Sequence, residues 1–108
     1  MTTIHTYLIE ISSDFLTQPL YKIGRSVNIF NRLNQLSQGN IFEYRILNQL
    51  KFDAELYLHK LFDRNRVDKN REWFAFTFDE LLNVHFQFST LRRVNKAPQP
   101  NTKDAYIN

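Results

Sequence analysis

The sequence predicts a small α+β domain, and three observations carry that reading. Apolar residues alternate in short N-terminal runs, the pattern of half-buried strands. From Asn28, and again from Asp53 and Asp79, the apolar spacing changes to helical steps. Turn and capping residues punctuate the runs, giving the order strand, strand, helix, strand, helix, short strand, helix. Such an order folds as an antiparallel sheet of about three strands flanked by helices.

Ile4 to Ile11 alternates loosely and ends at Ser12-Ser13-Asp14, a turn signal, so it is a strand. Leu20 to Gly24 is a second, reached through a loop holding Pro19, and two strands so close in sequence pair antiparallel. Ile29, Leu33 and Leu36 then recur at helical steps, with Ser26 or Asn28 to cap the start and Gly39-Asn40 to stop it. Ile41 to Phe52 is strand-like, although Leu47 to Leu50 breaks the alternation. Asp53 is the expected N-cap of a second helix striped by Ala54, Leu58, Leu61 and Phe62. Glu72 to Phe78 reads as a further strand, and Asp79 as the cap of a last helix through Val94. Residues 1–94 are therefore expected to form one domain and 95–108, with two prolines and little apolar material, a flexible tail.

The composition narrows the class. At 108 residues the chain has the usual size of one domain, and 43% hydrophobic residues, with ten Phe and five Tyr, stock a core. The longest apolar run is Trp73 to Phe76, far short of the ~20 residues of a membrane span. The N-terminus has no basic start and meets Glu10 early, so no secretory signal and a cytoplasmic location are expected. Without Cys there are no disulfides or thiolate metal sites. The net charge of +3 is modest, and its placement says more. Residues 63 to 71 hold Arg64, Arg66, Lys69 and Arg71 against two acids, and residues 91 to 103 hold Arg92, Arg93, Lys96 and Lys103 with none.

The stretch most able to do chemistry is Tyr21-Lys22-Ile23-Gly24-Arg25-Ser26, with Arg32 eight residues after the glycine. A strand ending in Gly admits close backbone approach, and the helix after it carries an arginine able to fork onto phosphate oxygens. Tyr7 lies on the neighbouring strand, and Glu55 and His59, four apart, share one face of the second helix.

This pattern resembles the GIY-YIG nuclease superfamily. Tyr7-Leu8-Ile9 is similar to its first box, Ile23-Gly24 to the end of its second, and Arg32 stands at the family's arginine spacing. Glu55-x-x-x-His59 and Glu72-Trp73-Phe74 resemble the further boxes of a short phage-type branch often labelled a DNA-binding domain. The resemblance implies a GIY-YIG-like α+β fold and a single Mg²⁺ or Mn²⁺ hydrolysing phosphodiester bonds of duplex or branched DNA. It implies Glu55 as metal ligand, Arg32 as phosphate clamp, Tyr7 to orient or deprotonate the attacking water, and His59 as a possible accessory group. Arg25, Arg64, Arg66, Lys69 and Arg71 are the expected DNA-backbone contacts.

Two departures stand beside the match. The first box lacks its Gly, and the second-box tyrosine position is Lys22, with Tyr21 one residue earlier. In a regular strand Tyr21 and Lys22 face opposite sides, so either a bulge turns Tyr21 inward or Lys22 replaces the phenol. Three functions are open to such a chain: a metal-dependent endonuclease, a catalytically silent DNA-binding module on the same fold, or a small protein-interaction or inhibitor protein. Each residue also has a plain role. Tyr7 and Tyr21 can be core aromatics, Arg32 a solvated side chain, Glu55 an acid favoured in a first helical turn, and the 63–71 loop a charged turn. His5 and His85 have no partner at metal-site spacing and read as structural.

Overall fold

A central four-stranded antiparallel sheet is covered by helices on both faces, in a computed structural model that describes residues 3–38, 41–67 and 73–98. In chain order the elements are β1 (His5–Ser12), β2 (Leu20–Ser26), α1 (Ile29–Ser37), β3 (Glu43–Leu50), α2 (Glu55–Leu61), a single 3₁₀ turn (Asp63–Asn65), β4 (Trp73–Phe74) and α3 (Phe78–Val94). The strands lie in the order β3-β1-β2-β4, so the α+β class holds and the sheet gains a fourth, two-residue strand at one edge. None of these helices is long and apolar enough to cross a membrane. Of the expected tail, residues 99–108 lie outside the described residues.

The pleat of β1 sends alternate side chains into two separate cores. Tyr7, Ile9 and Ile11 meet Ile29 of α1, with Leu33, Leu36 and Trp73 packed around them. Leu8 faces the other way, into a larger core with Tyr21 and Ile23 of β2, Leu58 of α2, and Val84, Phe88 and Leu91 of α3. The broken alternation of β3 has a direct cause. Leu8 pairs with Asn48 and Ile9 with Ile46, leaving Leu47 as the extra residue of a bulge. The bulge reverses the facing of the second half of the strand: Ile46 packs beneath α1, whereas Leu47 and Leu50 pack into the larger core. Both ends of the strand thus remain apolar on a buried side.

Helix starts differ from expectation in instructive ways. Asn28 caps α1 as anticipated, its side chain accepting from the Asn31 amide at 3.0 Å. The Gly39-Asn40 stop lies outside the described residues. The N-cap of α2 is Ala54 rather than Asp53, because the Ala54 amide is held by the buried Thr6 hydroxyl at 2.8 Å. Asp53 still serves the helix start, its Oδ1 accepting from the Glu55 amide at 3.2 Å. α3 begins before Asp79: Thr77 and Glu80 form a reciprocal capping box, which satisfies two backbone amides where Asp79 would satisfy one. Phe74 and Phe76 enter the larger core, but Phe78, the first helical residue, faces solvent, so the expected strand through Phe78 shrinks to Trp73–Phe74.

Thr6 is the joint between sheet and α2: its hydroxyl also donates to the Phe52 carbonyl at 2.7 Å. Thr6→Val keeps the shape and leaves both backbone groups unpaired, and should lower stability by about 2 kcal/mol in urea unfolding. Burial, and secondarily the charge of Glu10, raise the Tyr21 phenol above its ordinary 10.0. The unfolded chain therefore ionises first, so this contribution is complete below pH 10.0 and is lost as pH rises through the folded value. The urea midpoint should fall above that pH, and Tyr21→Phe should remove part of the fall.

Candidate functional site

The β1–β2 register is regular from His5↔Ser26 to Ile11↔Leu20. Without a bulge, Tyr21 and Lys22 keep opposite facings, and the pairings Tyr7↔Gly24 and Ile9↔Lys22 put Lys22 and Gly24 on the Tyr7 side. Tyr21 points into the larger core, its ring 5.5 Å from that of Phe76. Lys22 is only 8% exposed, with its ammonium 6.0 Å from the centre of the Trp73 ring, a cation–π distance. Tyr7 is 1% exposed, and Gly24 opposite it adds no side chain. α1 lies over this face through Ile29 and Leu33, while Arg32, between them in sequence, is exposed.

Glu55 belongs to the other face, where α2 packs through Leu58. Arg25 of β2 reaches it from below: Nη1 lies 2.6 Å from Asp53 Oδ2 and Nε 3.8 Å from Glu55 Oε1. These three residues line an open cavity of about 570 Å³ together with Lys96, Ala97 and Pro98, which come after the left-handed turn at Asn95. His59, one turn along α2, donates from Nε2 to the Ile23 carbonyl at 2.6 Å and sets its ring edge-on to Phe74, 5.3 Å away. That contact ties the helix to β2.

The predicted residues thus form two sets at one end of the sheet. Tyr7, Lys22, Gly24 and Arg32 lie on the α1 side; Arg25, Glu55 and His59 lie on the α2 side, and the sheet runs between them. Thr6↔Arg25 and Tyr7↔Gly24 are successive pairs, so the sets are back to back rather than far apart. Arg25 is drawn to Asp53 and Glu55, a partnership that the Asp53-x-Glu55 spacing could have signalled.

In the basic loop, Arg64 is exposed. Arg66 is half-buried, 3.7 Å from Asp63 and with its guanidinium 5.7 Å over the Phe74 ring. Lys69, Arg71 and Glu72 lie outside the described residues. The acid-free run disperses: Arg92 bonds Asn48 Oδ1 and the Gln49 carbonyl, Lys96 lines the Glu55 cavity, and Arg93 is exposed.

Among the described residues no three His, Cys, Asp or Glu side chains cluster as a full metal cage. A hydrated Mg²⁺ or Mn²⁺ needs fewer, since it keeps several waters and takes one or two carboxylates. Asp53 and Glu55, hard oxygen donors at an open cavity, fit that demand, with Arg25 as the competing cation.

No curated protein and no solved structure matches this chain. A family match does cover both sets of residues and every element of the fold: the T5orf172 domain, a phage-type domain often associated with GIY-YIG and nuclease-like proteins, over residues 4–98. The chain belongs to the T5orf172 domain family.

Proposed function

We propose that this protein is a metal-dependent DNA endonuclease of GIY-YIG type. The observation that carries the reading is the pairing of Tyr7 with Gly24 beneath α1, with Glu55 at an open cavity on the same strand end. In this reading Arg32, exposed and always charged, forks onto the oxygens of the scissile phosphate. Lys22 takes the second-box position in place of a phenol and supplies a cation held by Trp73. Tyr7 orients the attacking water through its hydroxyl. Glu55, helped by Asp53, holds Mg²⁺ or Mn²⁺, which when bound stabilises charge on the phosphate. The water oxygen bonds to phosphorus and gives up a proton to solvent, the P–O bond to the leaving strand breaks, and the leaving oxygen takes up a proton from solvent. The strand would cross the sheet end at Gly24, where no side chain obstructs it.

The wild type should nick duplex or branched DNA when Mg²⁺ or Mn²⁺ is added. Glu55→Gln and Arg32→Ala should each slow cleavage about a hundredfold or more, as loss of a transition-state contact does. Cleavage indifferent to both substitutions would end this assignment.

A second reading rests on a specific contact. Arg25 lies against both carboxylates, and in that state one of their two negative charges is balanced by protein rather than by metal. The chain is then a DNA-binding module without hydrolysis. Binding should weaken with salt at a log–log slope of about 0.9 per phosphate contacted. Replacing Arg64, Lys69 and Arg71 with Ala should make that slope shallower by about 2–3. Salt-dependent binding without cleavage under either metal selects this reading. No affinity for any nucleic acid removes both and leaves the protein-interaction role.

A further inference from the structure

α3 has a second face that neither core uses. Val84, Phe88 and Leu91 point inward, with Leu81 packed beside them. At about 100° per residue, the direction opposite these side chains centres on Phe86. Phe86 is 61% exposed there, flanked by Leu82 at 52% and, toward the helix ends, by Phe78 at 75% and Val94 at 56%. Phe86 and Leu82 lie within about 40° of one another on this face, with Phe78 and Val94 at its two margins, and large apolar residues exposed together on one helix mark a contact surface.

The charges on this same face say which partner. Asp79 and Arg93 fall within a few tens of degrees of Phe86 around the helix axis, each seven residues from it, in opposite directions. Both are exposed. The neighbouring charges are committed elsewhere, Glu80 to the capping box and Arg92 to Asn48. The outward face therefore reads the same under reversal with the charge sign exchanged: acid, apolar centre, base. A second copy of the helix laid antiparallel across Phe86 sets Asp79 against the partner's Arg93 and, by symmetry, Arg93 against the partner's Asp79. Phe86 then meets the partner's Phe86 at the centre, and Phe78 and Val94 lie about 80° around the axis to either side of it, at the margins of the contact. The charged pairs stand about 21 Å apart along the axis, one at each end of the apolar centre.

We infer that the outer face of α3 is a self-complementary surface on which two copies of this chain form an antiparallel, two-fold symmetric dimer. An isologous contact requires one patch to match itself under a two-fold rotation, which this face does. One helix against one helix lies at the small end of specific interfaces, below about 1,200 Å² in total, so the dimer forms in proportion to concentration. The inference is independent of the proposed nuclease or DNA-binding activity.

Light scattering on the full-length chain across a concentration series tests it. The wild-type mass should climb from 13.0 kDa toward twice that value. Phe86→Glu should hold it at the monomer mass, with unchanged circular dichroism because the residue is exposed. Asp79→Arg and Arg93→Asp should each weaken self-association at least tenfold, and an equal mixture of the two should restore it, since every introduced charge then faces an opposite one. A wild type that stays monomeric throughout overturns the inference, whatever else covers the face. So does a dimer that Phe86→Glu leaves intact, or a mixture no more associated than its components.

Discussion

The two-residue period of β1 is the constraint on which the rest of the molecule depends. The strand is central, and it is buried on both sides: Tyr7, Ile9 and Ile11 toward α1, Leu8 toward α2 and α3. A slip of one residue would exchange the two cores completely, sending Tyr7 among the phenylalanines and Thr6 under α1. Neighbouring strands must conform. β2 does so without interruption, whereas β3 needs the extra residue Leu47 to keep apolar side chains buried at both of its ends. Thr6 then carries that register over to α2. Its hydroxyl fixes both Phe52 and Ala54, and so places the first turn of α2, with Glu55, over Arg25.

That arrangement gives the candidate site its form. A sheet with helices on both faces divides polar groups according to strand parity, and adjacent residues of β2, Gly24 and Arg25, belong to opposite sides. Any ligand engaging both sets has to approach the edge where β2 gives way to α1. Gly24 matters there because it removes a side chain at the crossing point. Arg25 matters because a single guanidinium serves two carboxylates, and its closer, exposed pairing with Asp53 contributes only ~0–1 kcal/mol. It can therefore be displaced at little cost by a metal or a phosphate, which gives the carboxylates two accessible partnerships rather than one.

Much of this was legible in the residues, and the hidden part was hidden for physical reasons. Strand and helix existence came from apolar periodicity, and Asn28 declared itself as a cap. The bulge announced itself only as a fault in the pattern of β3, because one sequence does not say which neighbour its residues oppose. Asp53 lost the N-cap to Ala54 through Thr6, 48 residues away in sequence, a competition that local rules cannot see. Asp79 lost to Thr77 and Glu80, although that pair carries its own local signature of a hydroxyl with an acid three residues later. For the site, alternation alone separated Tyr21 from Lys22, but the placing of Glu55 on the opposite side from Tyr7 needed the side of the sheet on which each helix packs.

The modest surplus of three positive charges also acquires a different meaning. Counted along the chain, the basic residues near the C-terminus resemble one anionic-ligand patch. In space Arg92 braces β3, Lys96 looks into the Glu55 cavity, and Arg93 faces outward on the far side of α3. Three residues close in sequence thus serve stability, the candidate site and a free surface, because α3 turns Arg92 and Arg93 about 100° apart and the left-handed turn at Asn95 redirects the chain before Lys96. The outward face carries charges of both signs at its ends with an apolar middle, which is poor design for a phosphate backbone, where one sign is wanted throughout. It suits a protein surface instead, one on which a second copy turned end for end presents the complementary charge at each end.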